Sequence, residues 1–140
     1  MNASLWAKLH GGSTHFPIAL VISSLLFDLI GYALRSESRR RDLHAAGLYA
    51  LLLGALASFA AVLSGLALSH GEVFGSGSLA RHHGLVWPAF GLIVGLAAWR
   101  LTVRRCASRR AFGLYLGASL LASGLVGAAG YWGGELLLGG

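Results

Sequence analysis

The chain has one cysteine, Cys106, in 140 residues. An internal disulfide is therefore impossible, as are CxxC, CxxCH and the paired-cysteine zinc patterns, which rules out covalently attached haem, cysteine-ligated clusters and a disulfide scaffold. Charge is scarce, with Asp, Glu, Lys and Arg together making only 11% of the residues, against about a quarter in an average soluble domain. Acids are scarcest, five carboxylates in all. A serine-nucleophile motif, HExxH, a P-loop and GxGxxG are missing too, so nothing provides for a self-contained hydrolase or nucleotide enzyme. No basic n-region leads into a short apolar core and an Ala-x-Ala site, and the first apolar run is expected to serve as an uncleaved insertion signal.

What the chain does have is hydrophobic length, 56% of its residues being apolar or aromatic. Crossing a hydrocarbon layer of about 30 Å takes roughly 20 apolar residues in a helix. Four runs meet that length: Phe16–Leu34, Leu43–Leu68, Gly84–Val103 and Ala111–Leu138. Lipid offers no water to open backbone groups, and the runs are too long for barrel strands. The expectation is an all-α integral membrane protein, a single domain over residues 1–140. Short loops make it a four-helix up-down bundle.

A net charge of +6 could suit nucleic acid, but nine of the eleven basic residues lie in two short stretches, 35–41 and 100–110. Such stretches orient a multi-pass protein and do not read nucleic acid. Both loops are expected on the cytoplasmic side of a bacterial inner membrane, with both termini periplasmic. Glycine marks the faces expected to pack: Gly47, Gly54 and Gly65 on helix two, and Gly113, Gly117 and Gly124 on helix four.

Six histidines stand beside those five carboxylates. His10, His15, His70, His82 and His83 all fall on the expected periplasmic side. Imidazole is the usual ligand of b-type haem and a common one for zinc, copper and iron, and two histidines on different helices are what a six-coordinate haem needs. The spacing predicts axial ligation by His15, set at the head of helix one by Phe16-Pro17, and by His82 or His83, adjacent residues that point about 100° apart. A bare metal would draw on His15 and His83. His70, about 140° from the helix-two glycine stripe, is a weaker cofactor contact. His44 stands alone on the cytoplasmic side and is expected only to pack. Asp28, within helix one, is a functional candidate by depth alone, with an interior ion pair to Arg35 or a snorkelled interfacial acid as its plain explanations.

His15-Phe16-Pro17-Ile18-Ala19-Leu20, with Asp28-Leu29-Ile30-Gly31 closing the same helix, resembles a bacterial family of predicted four-helix membrane proteins. Gly65-Leu66-Ala67-Leu68, Arg81-His82-His83 and Gly133-Gly134-Glu135-Leu136 extend the resemblance over nearly the whole chain. Members occur alone or joined to c-type cytochrome or Rieske domains, which implies a place in electron transfer. Many carry another histidine just after GG-x-L, where this chain has Leu138-Gly139-Gly140. Together the residues and the resemblance predict a cytochrome b-like subunit with haem b near the periplasmic face. It would pass electrons between the quinone pool and a periplasmic cytochrome c or other redox protein, as part of a larger membrane complex. The competing expectation is a cofactor-free membrane anchor, and a metal or proton transporter ranks below both.

Overall fold

The computed structural model describes residues 3–103 and 108–138. Arg104, Arg105 and Cys106 of the second basic stretch, and the terminal Gly139 and Gly140, lie outside the described residues. Four helices follow one another: α1 (Ala3–Ala33), α2 (Glu37–Leu68), α3 (Gly77–Val103) and α4 (Arg109–Leu138). All four are long and apolar enough to cross a membrane, and there is no strand among the described residues.

Three helices begin well before their apolar runs, α1 at Ala3, α2 at Glu37 and α3 at Gly77. Hydropathy marks the length a helix spends in lipid, whereas the hydrogen-bond ladder runs on through polar residues wherever nothing breaks it. In α1 the turn ahead of Pro17 is held by Ser13 and Thr14, whose hydroxyls donate to the carbonyls of His10 and Gly11 at 3.1 and 3.0 Å. Pro17 therefore lies inside α1 and not at its head. It cannot donate to the carbonyl of Ser13, a local loss that the hydroxyl bonds around it offset. In α3 the helix starts at Gly77, and Pro88 is again internal.

The chain folds as two helical hairpins, α1 with α2 and α3 with α4, each pair in more extensive contact than the seams between the pairs. The α1–α2 seam rests on glycine. A Cβ on Gly47 would stand 3.0 Å from the Asp28 carboxylate, one on Gly54 3.1 Å from Val21, and one on Gly65 2.9 Å from the His10 ring. The helix-four stripe behaves otherwise: a Cβ on Gly113, Gly117 or Gly124 would meet nothing within 4 Å. Those glycines leave an open face and do not pack the bundle, because the face of α4 that turns inward carries Tyr115, Ser119, Ala122 and Ala129.

The contrast is measurable. Gly54→Leu is expected to cost about 1–3 kcal/mol by overpacking a seam that has backbone in contact, whereas Gly117→Leu should change stability by less than about 0.5 kcal/mol. Thermal unfolding of the two variants in the same detergent compares them directly.

Candidate cofactor site

Polar side chains gather in two layers at opposite ends of the bundle. His10 and Asp28 on α1 are eighteen residues apart, as are His82 and Arg100 on α3, Gly47 and Gly65 on α2, and Tyr115 and Gly133 on α4. Eighteen residues make about five turns and about 27 Å of helix, so each pair shares a face and its members lie roughly one hydrocarbon thickness apart.

The first layer is built of imidazole. His10 Nδ1 is 3.0 Å from the carbonyl of Ala61 and 3.1 Å from Ser64 Oγ. His82 Nδ1 is 3.0 Å from the carbonyl of Ala129. A carbonyl only accepts, so in both rings Nδ1 carries the proton and donates it, which leaves the Nε2 lone pair of each neutral ring free for a metal. The local design is the same twice over. Each ring lies over a glycine on the partner helix, Gly65 or Gly133, where a Cβ would come within 2.9 Å of the ring. Each donates to the carbonyl four residues before that glycine. The two hairpins thus repeat one arrangement, with His10 and His82 as counterparts.

The two rings stand with centroids 6.4 Å apart and planes at 88°. One metal ion bonded at about 2 Å to a nitrogen of each can span that separation. His83 is buried at 7% exposure with its centroid 5.7 Å from that of His82. Its Nδ1 is buried and finds no hydrogen-bond partner among the described residues. A partly open cavity of about 170 Å³ joins these three imidazoles, lined mostly by apolar side chains and glycine from all four helices. Trp87 lines it as well and donates from its indole nitrogen to the carbonyl of Val73 at 2.8 Å, tying down the α2–α3 loop.

The residues favoured by spacing fall in different places. His82 and His83 are buried in the cavity wall. His15 also lines the cavity, but from an exposed position at its rim. His70 is exposed in the α2–α3 loop, in the left-handed region at φ 55°, and is not among the cavity residues. No group of three or more His, Cys, Asp or Glu side chains among the described residues is arranged to hold a metal ion. A pair of axial imidazoles does not require one.

The second layer surrounds Asp28, which is fully buried. Arg100 donates to its Oδ2, Tyr115 donates to the same oxygen at 2.8 Å, and His44 Nδ1 lies 2.8 Å from Oδ1. Arg100 also donates to the carbonyl of His44 at 2.7 Å. The expected Asp28–Arg35 pair does not form, since Arg35 lies beyond the end of α1, and the cation comes instead from α3. His44 is likewise a member of a four-helix network and not a lone packing residue. Arg100 does not snorkel to the surface, because the carboxylate holds it inward. Trp99 and Phe112 stack against Tyr115 with centroids 5.1 and 5.6 Å away.

Sequence comparison adds a family to this geometry. The profile of a family described as "Predicted membrane protein (DUF2231)" fits residues 7–139. The chain belongs to that family. No curated protein and no solved structure matches it. The fitted span takes in every residue of both layers, from His10 to Gly133. It also takes in residues 7–15, ahead of the first apolar run. The signal for His10 lies there in the helix phase, since a helix that already includes it sets it on the face of Asp28.

Proposed function

We propose that this DUF2231 protein is a cytochrome b-like electron-transfer subunit that holds haem b between His10 and His82. The supporting observation is the pair of counterpart imidazoles, each fixed through Nδ1 to a helix carbonyl with Nε2 free, facing one cavity from diagonal helices. The donor set fits haem: two imidazoles, apolar walls and no carboxylate. Bound there, haem supplies one-electron exchange. His10 and His82 would hold and orient it, and His15 and His83 would be polar residues of the same cavity. The cavity is smaller than the roughly 300 Å³ and upward typical of ligand sites. Seating haem there would require the cavity walls to widen around the two imidazoles.

In this reading the imidazole end faces the periplasm of a bacterial inner membrane. Electrons pass between the quinone pool and a periplasmic cytochrome c or similar protein. The purified protein, expressed with ample haem, should show a sharp low-spin α band on dithionite reduction; a colourless preparation rejects haem. In that case the anchor reading takes over, favoured by the open glycine face of α4, on which another helix can pack closely.

Orientation has its own test. With the arginines gathered at one end, alkaline phosphatase fused after Gly140 should be active and a cytoplasmic reporter at the same point inactive. The reverse pattern would put the imidazole cavity on the cytoplasmic side.

A further inference from the structure

Between its two layers the bundle interior keeps a polar seam. Ser119 and Ser123 follow Tyr115 on α4 at steps of four, so the three share one face. Tyr115 and Ser119 are 3% and 4% exposed. The hydroxyls of Ser119 and Ser123 are buried and find no hydrogen-bond partner among the described residues. Serines in helices ordinarily return the hydroxyl to a carbonyl three or four residues back. Ser58 and Ser64 do so, donating to Ala55 and Ala61 at 2.7 and 3.0 Å. Ser119 and Ser123 do not, and an unpaired hydroxyl in a membrane interior is costly unless water satisfies it.

Both ends of this seam lead outward. At the arginine-rich end Tyr115 donates to Asp28, Asp28 faces His44 Nδ1, and the His44 side chain is 27% exposed. At the other end Ser123 is one helical turn from Val126, which with Ser58 and Ile93 lines the imidazole cavity. We propose that Tyr115, Ser119 and Ser123 line a water-bearing proton path between the His44–Asp28 pair and that cavity. Asp28, a candidate by depth alone in the sequence, has three side-chain partners in the fold.

The species carried is the proton, and nothing is oxidised or reduced. His44 takes a proton from solvent on Nε2 and gives its Nδ1 proton to Asp28. Rotation of the neutral carboxyl group carries that proton from the His44 side to the Tyr115 side, and the Tyr115 hydroxyl passes its own proton to water beside Ser119 and takes the carboxyl proton in its place. Water along Ser119 and Ser123 hands one proton on to the cavity; Asp28 and Tyr115 are then back in their starting protonation states, and His44, neutral but now protonated on Nε2, recovers its Nδ1 proton by tautomer exchange through water before the next transfer. Arg100 balances the carboxylate charge at rest. None of these steps depends on haem being bound.

The test is proton entry into phosphatidylcholine vesicles that contain the purified protein and a trapped pH-sensitive dye, driven by a potassium gradient with valinomycin. Vesicles with the wild-type protein should acidify faster than protein-free vesicles. The Ser119→Val/Ser123→Val double variant should fall to the protein-free rate, while Ser119→Thr/Ser123→Thr, of the same shape but with hydroxyls, should keep most of the flux. A wild-type rate equal to that of protein-free vesicles overturns the proposal, and this comparison needs no variant to fold. Valine variants as fast as wild type, or threonine and valine variants equally slow with unchanged helicity, overturn it too.

Discussion

Asp28→Ala is expected to lower the stability of the protein by about 3 kcal/mol, the low end of the range for breaking a buried ion pair, because the helices remain in lipid when they separate. The loss arises chiefly from what is left behind. Arg100 keeps its charge in the interior with no carboxylate, and the Tyr115 hydroxyl and His44 Nδ1 lose the acceptor they share. Removing both charges should therefore be less harmful than removing one, and Asp28→Ala/Arg100→Leu should recover part of the lost stability. Arg35→Ala, at the end of α1 and unpaired with Asp28, should change stability by no more than about 0.5 kcal/mol. Reversible unfolding in mixed micelles measures all three. An Asp28→Ala protein as stable as wild type, or an Arg35→Ala protein as unstable as Asp28→Ala, would show that the network does not hold the helices.

Loss of low-spin haem is the expected result of His10→Ala and of His82→Ala, each of which removes one of two strong-field imidazoles. His15→Ala should leave the low-spin spectrum in place, because that residue stands exposed at the rim, and His70→Ala should do the same from the loop. His83→Ala separates a neighbour from a ligand: it should shift the haem spectrum or potential without converting it to high spin. The comparison is made on reduced and oxidised absorption spectra of the purified variants. Retention of the wild-type spectrum in His10→Ala with its loss in His15→Ala would restore the pairing that the sequence pattern favours.

Four spans were legible in the sequence because lipid demands a length that hydropathy reports directly. Helix starts were not, since Ala3–His15 and Gly77–His83 are helical without being apolar enough to register. That gap decides the site. A helix begun at Phe16 gives His10 no phase and makes Pro17 a starting device that singles out the residue beside it. A helix begun at Ala3 puts His10 over Asp28 five turns later and turns His15 about 140° away from that face. The same count links His82 to Arg100. Glycine was legible only in part, because a small-residue stripe serves equally for contacts inside the bundle, as at Gly54, and for an open face, as at Gly117. The partners of Asp28 come from residues 16, 72 and 87 positions away. No local pattern points to them; only the crossing of four helices brings them together.

Electron paramagnetic resonance of the haem-loaded, oxidised protein tests the shared His10 and His82 site most directly. Axial imidazoles with planes near the observed 88° predict a strongly anisotropic low-spin ferric signal that disappears in His10→Ala. A high-spin wild-type signal, or a low-spin signal that survives His10→Ala unchanged, would contradict it.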